Sequence, residues 1–194
     1  MTSTFAKEMK PPLDRPLTEE EMEELVANAP KTPEERYQRA TGILQGAEDE
    51  YSRWCALATS AKAALETERF GEAEELAKEL LTLSDSHRDD WNYGNAIHDS
   101  NVVMGVLAIL KGDTKLASEH LLAAGRSPGS PQMNSFGPNM TLAKWLLEEN
   151  REDVVLEYLV LCRAFWSLHG NRLVEWSEQI ASGSRPDFGA NLLY

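Results

Sequence analysis

The residues best suited to chemistry are His98 and Asp99, adjacent on one predicted helix, with His87 before them and Asp113 after. Imidazoles and carboxylates are residue types that can hold a divalent metal. The surroundings favour something plainer. No glycine follows the His98-Asp99 pair, Asp113 falls in a Gly112-Asp113 turn, and His87 lies in a connection. Asn92, Asn95, His98, Asp99 and Asn101 make the polar first half of a helix whose second half is apolar. That half-helix is either solvated surface or the floor of a groove. No phosphate-cradling loop, His-Glu-x-x-His, Cys-x-x-Cys or Gly-x-Ser-x-Gly is present, and no arrangement of Ser, His and Asp singles out a nucleophile. Asp187-Phe188-Gly189 copies the kinase metal triplet without its companion motifs, and the sequon Asn139-Met140-Thr141 carries no meaning in a cytosolic chain. The expectation is a non-enzyme without metal or cofactor.

Composition narrows the partner. Among 194 residues, 32 acidic against 19 basic side chains give a net charge of −13, which argues against nucleic acid, since phosphate contacts need clustered Lys and Arg. The charge serves solubility through Glu-rich helix faces or attracts a basic partner. The start has no apolar leader and no run approaches a membrane span, so no membrane is expected. Cys55 and Cys162 are far apart inside helical patterns and read as small buried hydrophobes in a reducing compartment. A cytoplasmic protein follows.

The elements that must position these residues are all helical. Residues 1 to 16, with Pro11, Pro12 and Pro16, read as a flexible arm, 17–183 as one helical-repeat domain, and 184–194 as a tail. Thr18 with Glu21 and Thr32 with Glu35 fit capping boxes. From Tyr37 to Leu65 an apolar stripe steps by threes and fours without a break, predicting one long N-terminal helix with Gly42 and Gly46 inside it. Its surplus length makes a homodimer seam an option. Further helices are expected from Phe70, from a cap at Asp89 or Asp90, from Thr114 to Gly125, from Pro138 to Glu149, from Val154 to Trp166, and from Asn171 to Gly183. No alternating strand pattern is present. The fold class is all-α.

Beneath the helices lies a repeat. Phe70-Gly71-Glu72-Ala73 matches Thr114-Lys115-Leu116-Ala117, with Ala73 and Ala117 separated by 44 residues, as are the small residues Ala61 and Gly105. Glu152-Asp153-Val154-Val155 gives a third unit, 38 residues after Ala117, with Ala143 in the place of Gly105. Small residues let two antiparallel helices approach, and polar turns reverse the chain. Gly105, Gly112-Asp113 and Ala117, then Ala61, Phe70 and Ala73, resemble the tetratricopeptide repeat. The third unit departs from that pattern at Asn150-Arg151 and Val155, and the units are longer than is usual for it. The resemblance covers roughly Trp54 to Trp166. It implies hairpins stacked right-handedly around a concave face and a partner-binding role, and the last helix is expected to cap the array. His98-Asp99 more distantly resembles the all-helical metal-dependent phosphohydrolases, with the departures given above.

The inner face of such an array should carry Lys62, Asn95, His98, Asp99, Val102, Val106, Met140 and Lys144, with the two lysines placed to grip a peptide carboxylate. The Gly125–Asn139 loop is long for a hairpin array and stiffened by three prolines, with Phe136 as its anchor. It is either a packed connector or a rim over the groove, presenting Arg126, Asn134, Phe136 and Asn139. The expected function is therefore cytosolic binding of another protein or peptide in the inner groove. The alternative is a small acidic chaperone or immunity-type protein holding a basic partner.

Overall fold

A computed structural model describes residues 18–192, so the proposed arm lies outside the described residues. Among the described residues every regular element is helical: α1 (Glu19–Ala27), α2 (Pro33–Gln45), α3 (Glu50–Glu66), α4 (Phe70–Ser84), α5 (Tyr93–Leu110), α6 (Thr114–Gly125), α7 (Pro131–Phe136), α8 (Thr141–Glu148), α9 (Glu152–Cys162) and α10 (Arg172–Ala181). None of these helices is long and apolar enough to cross a membrane. Both capping boxes form: Thr18 and Glu21 exchange bonds of 2.8 and 3.2 Å, and Thr32 and Glu35 do the same at the start of α2.

The long N-terminal helix does not exist. Gly46 closes α2, and Asp49 opens α3 by accepting a bond from the Ser52 N–H at 2.7 Å. The chain doubles back, so that Arg36 meets Glu66 at 2.8 Å and the Ser60 hydroxyl donates to the Ala40 carbonyl at 3.2 Å. The unbroken stripe belonged to two helices facing each other, which a periodicity count cannot separate from one. With the surplus length gone, the dimer seam loses its basis. Gly42, inside α2, has nothing within 4 Å of where a Cβ would sit. Gly42→Ala is therefore expected to stabilise the protein by about 0.5–1 kcal/mol in urea denaturation.

Three hairpins follow, α3/α4, α5/α6 and α8/α9, and all three turn in the same way. The left-handed residues are Glu68 (φ +60°), Gly112 (+80°) and Asn150 (+56°). Behind each, a backbone N–H reaches back to a helical carbonyl: Arg69 to Ala64, Asp113 to Ala108 and Arg151 to Leu146, each at 2.9 Å. This closure satisfies carbonyls that the helix end leaves open. Gly183 (φ +82°) ends α10 with the same bond, Ser184 to Gln179 at 2.8 Å. Ala61, Gly105 and Ala143 are buried, as are Ala73, Ala117 and Val155. A Cβ on Gly105 would stand 2.2 Å from Leu142 Cδ2, so the Leu142 side chain of α8 packs directly on the α5 backbone there.

The first helices α3, α5 and α8 lie side by side, with α4, α6 and α9 behind them and α10 against α9. α5 sits between two apolar cores. Val103 and Leu107 face Trp54, Leu57 and Leu80, while Val102 and Val106 face Leu121, Met140 and Leu146.

Several boundaries shift. The Asp90 carboxylate accepts from the Asn92 N–H at 2.7 Å just ahead of α5, without capping the helix itself. Asp113, rather than Thr114, caps α6, accepting from the Leu116 N–H. α8 starts at Thr141, well after Pro138, and α9 stops at Cys162, short of Trp166. Within the segment read as a tail, Phe188 is 2% exposed and meets Trp176 edge-on at 5.0 Å.

Candidate functional site

The Gly125–Asn139 loop folds onto the polar first half of α5. The Ser127 hydroxyl donates to the Gly94 carbonyl at 2.7 Å. Ser130 donates to Asn95 Oδ1 at 2.6 Å and caps α7 by accepting from the Met133 N–H at 3.0 Å. Asn95 Nδ2 donates in turn to Gln132 Oε1 at 2.8 Å. Proline at the first position of α7 fits because that N–H has no helical partner. On its other side the loop meets the connection between α9 and α10, where Asn134 Oδ1 accepts from the Ser167 N–H and hydroxyl at 2.8 and 2.7 Å. Asn191 fastens the end of the loop, donating to the Phe136 and Pro138 carbonyls and accepting from the Met140 N–H at 2.8 Å. The floor imagined as a groove is thus roofed by the chain's own loop, a packed connector.

Under this roof runs a buried polar chain joining all three hairpins. Lys62 Nζ on α3 meets Asp99 Oδ2 at 2.7 Å, Asp99 Oδ1 meets His98 Nδ1 at 3.3 Å, and His98 Nε2 meets the Tyr158 hydroxyl on α9 at 2.9 Å. A neutral His98 satisfies every partner when Nδ1 donates to the carboxylate and Tyr158 donates to Nε2. Burial works to raise the Asp99 carboxyl, but Lys62 and His98 outweigh it and hold the group down to about 2. Burial also pushes the Tyr158 hydroxyl well above its ordinary range and raises the Cys162 thiol. These groups hold one another, with His98 and Tyr158 buried and Lys62 and Asp99 keeping only a partial exposure to solvent. The arrangement suits cross-linking of helices rather than proton transfer to a substrate.

The metal constellation is not assembled. His87 stacks on Trp54 at 4.5 Å, Asp113 is a helix cap, and His98 and Asp99 are committed as described. Among the described residues no group of three His, Cys, Asp or Glu side chains is placed to hold a metal.

The proposed inner-face set divides. Val102, Val106 and Met140 are core residues, His98 is buried, and Lys62 spends its charge on Asp99, so none of these five lines a groove. The periodicity places these residues on one face of α3, α5 and α8, and the neighbouring helices and the 125–139 loop cover that face. Lys144 is exposed on α8, and Asn95 lies beneath the loop. Of the rim residues, Asn134 joins the loop to Ser167, and Arg126 is exposed near Glu157 at 3.7 Å. Asn139 is buried, accepting from the Thr141 N–H at 2.9 Å. Phe136 is 63% exposed, and the loop's apolar anchor is Met133 at 5%.

What remains open is the outer side of the loop. Pro128, Pro131 and Asn134 face Ala164, Phe165 and Ser167 across a shallow cleft of about 380 Å³. Two large apolar side chains are exposed in the flanking segments of the chain: Trp91, 56% exposed, directly before Asn92, and Leu168, 65% exposed, directly after Ser167. Trp91 precedes α5 and escapes the core.

Compared with known proteins, the chain matches no family model, no curated protein and no solved structure.

Proposed function

We propose that this chain is a cytosolic helical-repeat interaction module of the tetratricopeptide type, binding a segment of another protein. The tandem of three hairpins closed by one kind of turn supports the reading most directly, because such stacks build extended surfaces from local contacts. Cys55 and Cys162 are free thiols, as a reducing compartment would keep them. The inner groove of the usual repeat is closed here by the 125–139 loop, so the working surface is moved to the outer face of that loop. Exposed aromatic and aliphatic side chains around a cleft are the ordinary anchors of such contacts.

The test is capture from lysate on immobilised protein, comparing the wild type with a Trp91→Ser/Leu168→Ser variant. Both positions are exposed, so the variant should melt like the wild type. One enriched partner, reduced at least about tenfold by the double change, is the expected result. Capture unaffected by the variant removes this face. A second reading rests on the acidic first turns of α1 and α2, Glu19, Glu20, Glu21, Glu34 and Glu35, which suit a basic partner. It predicts a partner retained by the double variant and released steeply by salt.

A further inference from the structure

Acidic residues are spread along most of this chain, yet two stretches have none. Residues 120–147 and 158–174, 28 and 17 residues long, contain no Asp or Glu, and no other acid-free stretch in the sequence is as long. They are separated in sequence by α9, and the fold brings them together. Asn134 from the first is hydrogen-bonded to Ser167 from the second, and the two strips form opposite walls of the cleft beside α7. Every residue lining that cleft is uncharged. The charges these strips do carry are cationic. Arg163 is exposed immediately before the Ala164-Phe165 wall, and Arg172 lies over the Trp166 ring at 5.7 Å. Arg126, on the first strip, leans toward Glu157 at 3.7 Å. Asp89 and Asp90 appear only at the Trp91 end.

We propose that this face receives an acidic, amphipathic segment of a partner protein, its apolar side chains against Ala164 and Leu168 and its carboxylates toward Arg163 and Arg172. Charge complementarity decides the occupant. On a protein of net charge −13, an acidic segment is repelled by much of the surface and meets the two longest acid-free stretches of the chain here, which gives orientation as well as attraction. Guanidinium groups beside an aromatic wall offer carboxylates paired donors that are less hydrated than an ammonium. The proposal rests on the interaction-module reading and names the class of partner that reading leaves open.

The experiment uses the whole protein and three fluorescein-labelled synthetic amphipathic helices, identical except that their polar face is Glu, Gln or Lys. Fluorescence anisotropy should show the Glu peptide bound in preference to the other two. Its affinity should fall several-fold between about 50 and 200 mM salt. Arg163→Glu/Arg172→Glu should weaken it at least about tenfold. Lys115→Glu, an exposed cation on α6, should leave it unchanged. Equal binding of all three peptides, preference for the Lys peptide, no binding of the Glu peptide, or indifference to the Arg163/Arg172 change overturns the proposal. A dimer seen by sedimentation of the protein alone and abolished by the same change would also overturn it, by making a second copy the occupant. A lysate partner lost with Trp91→Ser/Leu168→Ser, alongside failure of the Glu peptide, would sink this inference and leave the interaction module standing.

Discussion

Gly94→Ala is expected to destabilise the protein by about 3 kcal/mol, the upper end of what overpacking usually costs. Its added Cβ would lie 1.8 Å from the Gly129 carbonyl oxygen, 2.3 Å from that carbon and 2.8 Å from its Cα. All three obstacles are backbone, so no rotamer change relieves them. α5 is held along its length by its own ladder and by two cores, so the loop must give way. The loop is backed by a second wall, since a Cβ on Gly129 itself would stand 2.2 Å from Phe165 Cβ. Moving it outward breaks the bonds from Ser127 to Gly94 and from Ser130 to Asn95. Urea denaturation of wild type, Gly94→Ala and Gly42→Ala makes the comparison internal, because the same substitution at position 42 meets open space and should raise stability. If Gly94→Ala melts with the wild type, the loop is not seated on α5 and the cleft has no inner wall. A fall in stability with loss of cleft binding would tie both to one contact.

The contrast between those glycines shows what the sequence can carry. Period and small residues are local, and they marked Ala61, Gly105, Ala73 and Ala117 as contact points, all of which are buried. Capping chemistry is local too, so Thr18 with Glu21 and Thr32 with Glu35 were readable. The break at Gly46 was not, because α2 and α3 keep one stripe in phase across the turn. The third repeat looked degenerate since Asn150 stands where Gly112 does, yet Asn tolerates the left-handed conformation and Glu68 is held in it by the same closing bond. Burial of the supposed inner face was invisible for a different reason. Whether Asn95 meets solvent or Ser130 depends on where a loop 35 residues later comes to rest. Phe136 and Met133 exchange roles for the same reason, three residues apart on a helix of one and a half turns that periodicity cannot detect.

Asp99→Asn should cost about 2–3 kcal/mol at neutral pH, and the loss should be pH-dependent in a defined direction. Removing one partner of a buried pair typically costs 3–5 kcal/mol. The lower figure applies here because the Lys62 and Asp99 side chains keep 20% and 15% exposure, which lets the freed ammonium turn outward. Asp99 is depressed to about 2 from an ordinary 3.8. A depressed carboxyl contributes stability that is complete above its unfolded value and is lost as pH falls through its folded value. The gap between wild type and Asp99→Asn should therefore be constant from pH 7 to about 5 and close progressively between about 4 and 2. Lys62→Gln on the Asp99→Asn background should recover at least half of the loss, because it removes the unpaired charge and leaves two neutral amides in its place. Tyr158→Phe should cost about 1–2 kcal/mol by leaving His98 Nε2 without a donor. That loss should not change between pH 5 and pH 3, where the Asp99 gap begins to close. A pH-independent Asp99→Asn gap would mean that the carboxylate is not held by Lys62 and His98. Lys62 and Asp99 would then contribute nothing to the register of α3 against α5, while the His98–Tyr158 bond would still tie α5 to α9.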